Sequence, residues 1–456
     1  MTAGALPLDV LGPSGVYRAR NRQTVTDVAG RTTAELGVAP KLFVSRAMRA
    51  LRAAVPLPVD ARVAAIARAG ELFATAELGG LTPEAYEHAV SRVAGLPVTV
   101  VRAATRTLAH RTAHLHRGLQ FARPTGAVTD WRDPLTRTGR AVWARRGEVL
   151  AVHAAGNHPG THSLWPEALA LGYRVAVRPS RREPLTPHRL VLALRAAGFG
   201  DDHVMLLPTE HEPAEAMLRA ADLAYGSDEI IREHAEDRRV LSLTPGRSKV
   251  LLTGDVDWRR HLDTLVDSIA HHGGTGCVNA TAVFVEGDTA PVAEALAERL
   301  ASLPSLPPED DKARLPVQSA RSARALESYV LGRAAGARAW LGGGGIADDL
   351  GDGSAVLRPA VFELDRPDAP EAGTEVPFPC VWVAPWNRAA GVAPLRDTLV
   401  MSAFTDDEEL IDALCDEPTV SNLYVGDHPT HWTDTGMPHD GYLADFLMRS
   451  KTVLRG

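Results

Sequence analysis

From Gly147 onward, short apolar runs alternate with segments whose apolar residues recur every three or four positions. The runs Val149–His153, Arg174–Arg178, His203–Leu207, Asp222–Tyr225 and Val240–Leu243 predict buried strands. Between them, the stretches near Thr161–Leu171, Pro187–Ala197, Glu212–Ala220 and Asp228–Asp237 predict helices. Such alternation predicts a doubly wound parallel sheet, whose ligand lies beyond the carboxyl ends of the strands. No G-x-G-x-x-G turn follows the first of these strands, so a dinucleotide bound here would have its pyrophosphate held in another way. Upstream, residues 1–120 read mainly as helices, most clearly over Ala61–Phe73 and Pro83–Ala94. Downstream, a second α/β region runs from about Asp257 to Asp427. Its helices fall near Leu262–Ala270 and Ala290–Ala301, with a strand at Ala282–Glu286 and loops at Leu303–Pro308 and Leu341–Ile346. The extended segment Ser450–Leu454 is expected to pair with another strand across a subunit interface.

A chain of 456 residues with 45% hydrophobic content can bury more than one core. The expected division is a helical region plus a dinucleotide-binding domain (1–122 and 143–255), a catalytic domain (256–430), and bridging or oligomerisation segments (123–142 and 431–456). No apolar run is long enough to span a membrane, and Met1–Val10 lacks the basic and apolar regions of a signal peptide, so a cytoplasmic location is expected. The net charge of -7 offers no general attraction to nucleic acid. Lysine occurs only at Lys41, Lys249, Lys312 and Lys451, a skew that fits GC-rich coding. Cys277, Cys380 and Cys415 show no paired spacing, so neither a disulfide framework nor a zinc knuckle is indicated. The stretch His110–His116 reads as a solvated helix face, and no metal site is expected.

Candidate chemistry gathers in the alternating part of the chain. It begins with Ala154-Ala-Gly-Asn157-His-Pro159, followed by Pro166-Glu-Ala168-Leu-Ala170-Leu-Gly172 and Val177-Arg178-Pro179-Ser180. Tyr225-Gly226-Ser227 and His272-Gly273-Gly274-Thr275-Gly276-Cys277 come next. In order and spacing, this set resembles the signature of the aldehyde dehydrogenase superfamily: an Asn-x-Pro turn, a helix with Pro-Ala-Leu-Ala-x-Gly, Lys-Pro-Ser, Thr-Gly-Ser and Gly-Gln-x-Cys. The resemblance covers about 145 to 290, with a weaker ending at Met437-Pro-His-Asp-Gly441 through Lys451-Thr-Val453. It implies an α/β fold with a doubly wound cofactor domain, an α/β catalytic domain and a small oligomerisation element, assembled as a homodimer or homotetramer. It further implies that Cys277 attacks an acyl or aldehyde carbon. The resulting oxyanion would be held by the Asn157 amide and the Cys277 backbone N–H. Gly226 and Ser227 would receive a cofactor phosphate at a helix start.

Departures from the pattern sharpen the expectation. Aldehyde-oxidising members carry a Glu in a Glu-Leu-Gly-Gly-Lys stretch that activates the deacylating water. Here the stretch reads Ser242-Leu243-Thr244-Pro245-Gly246-Arg247-Ser248-Lys249, without a carboxylate. That absence resembles the acyl-thioester branch, including acyl-CoA reductases of the bacterial bioluminescence fatty-acid reductase type. Arg178 replaces the ribose-binding Lys, and Ser180 is followed by Arg181 and Arg182, which suit a 2′-phosphate; NADPH is therefore the expected cofactor, with NADH as the alternative. Glu375 aligns with the residue that touches the nicotinamide ribose, and His271 and His272 are candidate proton donors beside the nucleophile.

The leading expectation is NADPH-dependent reduction of an acyl thioester to aldehyde, served by an acyl-activating ligase or acyltransferase partner. NAD(P)-dependent aldehyde oxidation is the first alternative, and a catalytically silent subunit of a biosynthetic complex is the second. A titration with cofactor combined with thiol labelling separates the silent homologue from both enzymes.

Overall fold

A computed structural model of the chain describes residues 5–456 apart from Thr244 and Thr435. Two seven-stranded sheets dominate it. In the first, Val240–Ser242, Leu223–Gly226, Val149–His153, Arg174–Arg178 and Val204–Leu206 run parallel, as the alternation predicts, and lie in that spatial order. The hairpin Val10–Gly12 and Gly15–Tyr17 closes its far edge antiparallel. Val149–His153 is buried along its whole length because helices cover both faces, which is why its pattern is a continuous apolar run.

The second sheet orders Arg338–Leu341, Ala360–Glu363, Cys380–Trp386, Ala280–Glu286, Ser248–Leu252, Thr398–Phe404 and Val420–Val425. All but its Arg338–Leu341 edge are parallel. Ser248–Leu252 and Ala280–Glu286 are neighbours, so the stretch before one and the turn before the other are brought side by side. Cys277 sits in that turn.

Two expectations need correction. Residues 5–40 are not helical: Leu6–Leu8, Arg22–Thr26 and Thr32–Gly37 form a small sheet, and helices start at Lys41–Ala53, followed by Val59–Thr75, Pro83–Ala94 and Val98–Ala122. These early strands are short and part exposed, so periodicity carried little signal. The helix near Thr161–Leu171 is broken into a 3-10 turn, Pro159–Ser163, and a helix, Pro166–Ala170, because Pro166 cannot donate to the preceding turn. The terminal strand, Met448–Val453, pairs antiparallel with Arg140–Arg145 of the same chain. Among the described residues, no helix is long and apolar enough to cross a membrane.

Candidate active site

The turn that carries Cys277 is fixed by close backbone approach. A Cβ on Gly274 would lie 2.5 Å from the nitrogen of Pro379, and one on Gly246 would lie 1.8 Å from the carbonyl oxygen of Cys277. Only glycine fits at either place. Gly274 also has φ +66°, and the neighbouring His272 is held at φ +51°, in the left-handed region a β-carbon disfavours. The Ser248 hydroxyl donates to the Cys277 carbonyl at 3.0 Å, and the Asn279 side chain accepts from Gly276 N–H at 2.9 Å. The nucleophile turn is thus clamped from the strand beside it and from its own far end.

The Cys277 thiol is partly buried and pushed up to about 12, first by burial and then by the Glu375 carboxylate, with the N–H groups of Cys277 and Val278 pulling weakly the other way. Such a thiol is neutral at ordinary pH, and only with a base beside it would it become a nucleophile. An imidazole sits at the sulfur: His439 Nε2 lies 3.6 Å from Sγ. His439 is itself held below its ordinary value by burial and then by Arg111, which leaves it neutral and able to accept a proton. The Asn422 side chain donates to the His439 carbonyl at 2.5 Å, pinning the loop. Sequence reasoning missed His439, although it lies inside the quoted Met437–Gly441 ending; a residue 162 positions from Cys277 gives no local clue to contact.

The other two cysteines are placed differently. Cys380 is buried within a strand, its thiol pushed up to about 12 by burial, and Cys415 is exposed on a helix.

Asn157 is exposed, at the end of the first sheet's Val149–His153 strand, and makes no hydrogen bond to the described residues. Its neighbour His158 stacks on His272 of the nucleophile turn at 5.2 Å between ring centroids, which brings the Asn157 and Cys277 turns together. The stack continues through His271, 3.9 Å from His272, to His431, 3.6 Å further on. His272 is pushed down to about 3 by burial and by the neighbouring imidazoles. Asp267, His271 and His431 bring three metal-capable atoms within 4.8 Å of one another. The His271 and His431 rings are nearly parallel, so their nitrogen lone pairs point side by side instead of converging on one ion. His114 bonds the His110 carbonyl within the helix Val98–Ala122, on an exposed face.

On the cofactor side, Arg178 donates to Asp228 at 2.6 Å, and His153 Nδ1 donates to the same carboxylate oxygen at 2.8 Å. Burial opposes ionisation of Asp228, yet these donors and the Ile231 N–H hold it below its ordinary value. Arg181 pairs with Glu210, whereas Arg182 is exposed and makes no ion pair among the described residues. A Cβ on Gly156 would meet the Ser180 hydroxyl at 2.3 Å, and one on Gly226 would meet the His153 carbonyl at 2.1 Å. The ends of three parallel strands therefore close together, leaving backbone rather than side chains on the rim. Such a bare rim beside the exposed Arg182 and the half-buried Ser180 and Ser227 fits a phosphate-bearing dinucleotide. Glu375 accepts from Arg247 N–H at 2.9 Å and is raised by burial, so it is anchored to the turn that passes over Cys277.

The model of the aldehyde dehydrogenase family matches residues 151–449, well over half the chain. The chain therefore belongs to the aldehyde dehydrogenase family, and with that to a family of oxidoreductases of the aldehyde group. Among curated relatives it is 25% identical over 272 residues to a 2-hydroxymuconic semialdehyde dehydrogenase of Pseudomonas sp. (strain CF600), covering 55% of each chain. It is 24% identical over 146 residues to malonate-semialdehyde dehydrogenase 1 of Geobacillus thermodenitrificans, covering 30% of each. The matched segment spans about half or less of these relatives. Among solved structures, an indole-3-acetaldehyde dehydrogenase in complex with NAD+ superposes with a TM-score of 0.82 at 18% identity, covering 97% of this chain and 95% of that one. The 1-pyrroline-5-carboxylate dehydrogenase of Thermus thermophilus gives 0.81 at 18% identity, covering 98% and 93%. These likenesses establish the fold.

Proposed function

We propose that this chain reduces an acyl thioester to an aldehyde through an acyl-cysteine at Cys277. The observation that carries the reading is the stretch 242–249, which crosses the Cys277 backbone at Gly246 without a carboxylate. His439 takes the Cys277 proton as sulfur attacks the thioester carbon, and returns it to the departing thiolate. Asn157 and the Cys277 N–H hold the oxyanion, and each donor of this kind is worth about 3–4 kcal/mol in the transition state. Ser180, Arg181, Arg182, Gly226, Ser227 and Glu375 hold the nicotinamide dinucleotide, with Arg178 supporting them through Asp228. That dinucleotide, when bound, supplies hydride to the acyl carbon. Collapse of the tetrahedral oxyanion then frees aldehyde and leaves Cys277 as thiolate, which regains its proton from solvent through His439, the one proton the reduction consumes.

NADPH remains the preferred cofactor in this reading because Arg182 is free for a 2′-phosphate; Arg181 must first leave Glu210. The supplying partner would be an acyl-activating ligase or acyltransferase, and the protein itself a cytoplasmic homo-oligomer.

Aldehyde oxidation is the second reading. Two observations favour it: the curated relatives are named semialdehyde dehydrogenases, and Glu375 places a buried carboxylate close enough to raise the thiol. A product assay separates the two. Acyl-CoA with NADPH should give aldehyde, while aldehyde with NADP should turn over only when CoA is supplied, giving acyl-CoA and little free acid. Rapid acid formation without CoA, lost in Glu375→Gln, would establish oxidation instead.

A further inference from the structure

The 3-10 turn after Asn157 contains two imidazoles whose hydrogen-bonding is half spent. His158 Nδ1 accepts from the Gly160 N–H at 3.0 Å, and His162 Nδ1 accepts from the Trp165 indole N–H at 3.3 Å. Burial pushes the two down to about 4 and about 3, so both rings are neutral. A neutral imidazole that accepts at Nδ1 carries its proton at Nε2. Both Nε2 atoms are sealed from water and have no partner among the described residues. His162 is 1% exposed and lies four residues after His158 in the same turn.

Two desolvated N–H donors without acceptors are rare in a folded chain and call for a ligand or a trapped water. Their position suggests which. His158 directly follows the proposed oxyanion donor and stacks on His272 of the nucleophile turn, and both rings are only partly covered as residues. The turn that carries His158 therefore lies against the turn that carries Cys277.

We propose that His158 and His162 form an acyl-recognition site for an acyl group bearing an oxygen acceptor, such as a carboxylate, a few carbons from the reacting carbonyl. This rests on Cys277 being the reacting centre, but not on the direction of the reaction. A plain hydrocarbon chain would leave both donors unpaired, and sites built to hydrogen-bond a substrate reject analogues that lack the polar group. The charge of the substrate matters less than its lone pairs, since both imidazoles are neutral and Asp267 stands at the outer end of the stack.

The test compares matched chains in either direction: succinyl-CoA against butyryl-CoA for reduction, and succinate semialdehyde against butyraldehyde for oxidation. The native protein should favour the carboxylate-bearing member by on the order of tenfold or more in kcat/KM. His162→Phe and His158→Phe should remove that preference, and His162→Gln, which restores an N–H donor, should recover part of it. Titration of Cys277→Ala with the two aldehydes reads the same preference without chemistry, so the proposal is tested even if turnover fails in both directions. A preference for the hydrocarbon chain, or a ratio unchanged in both Phe variants, would overturn it and leave a buried water as the partner of these donors.

Discussion

Two regions at the carboxyl ends of the first sheet treat their polar groups in opposite ways. Around Arg178, charges are satisfied within the chain, although the His153 Nε2 is buried without a partner: Arg178 and His153 share Asp228, and Arg181 is taken by Glu210. Around His158 and Cys277, polar atoms are left wanting: the Nε2 atoms of His158 and His162 and the hydroxyl of Tyr225 are buried without partners. Tyr225 is close enough to Cys277 that the thiolate's charge raises it further, after burial. A group already paired gains little by meeting a ligand, whereas a desolvated group without a partner gains most. Binding of the dinucleotide should therefore rest on backbone and on Arg182, while discrimination among acyl groups should rest on unpaired donors beside the nucleophile.

The sharpest break comes from the nucleophile. Cys277→Ala should abolish the acyl adduct seen by intact-protein mass spectrometry and all turnover, with cofactor affinity unchanged; Cys380→Ala and Cys415→Ala should retain both. An adduct on either of the other two cysteines would refute the assignment. Next, His439→Phe should slow alkylation of Cys277 by iodoacetamide at neutral pH by on the order of tenfold or more, since a positioned base typically supplies about 10²–10⁴-fold. Alkylation at an unchanged rate would show that the imidazole only packs against sulfur.

On the paired side, the expected effects concern stability. Asp228→Asn should cost about 1.5–3 kcal/mol near neutral pH, because it weakens charge-assisted bonds from Arg178 and His153. Asp228 is depressed below its ordinary 3.8, so its contribution is present above that value and is lost as pH falls through the lower folded value. Denaturant titrations of the two proteins should converge below about pH 4, where the unfolded carboxylate protonates; a constant gap down to pH 2 would contradict the pairing. The smallest effect belongs to Glu210→Gln, which frees Arg181. It should raise the NADPH-to-NADH ratio of kcat/KM by roughly a few-fold, consistent with an exposed pair worth about 0.2–1 kcal/mol. No change would mean that Arg181 does not face the 2′ position.

How much of this was legible differs between the same two regions. The parallel strands of the first sheet and the turns at Asn157 and Cys277 could be read because strand–helix alternation and ordered motifs are local in sequence. The glycines at 246 and 274 were legible as glycines but not as contacts, since their partners, Cys277 and Pro379, come from other segments. Arg181 read as a free cation because Glu210 lies 29 positions away. The imidazole stack was invisible for the same reason: His158, His272 and His431 are joined only by folding. Residues 5–40 were misread because short, partly exposed strands carry little periodicity.

The central claim is that an acyl group on Cys277 waits for hydride or thiol instead of water. The most direct measurement is the lifetime of that adduct: load the protein with an acyl-CoA, remove excess reagent, and follow the intact mass with and without NADPH. The account predicts an adduct that persists in buffer, is discharged as aldehyde when NADPH is added, and returns to acyl-CoA when CoA is added. An adduct that hydrolyses to free acid as fast in buffer as with NADPH would contradict it.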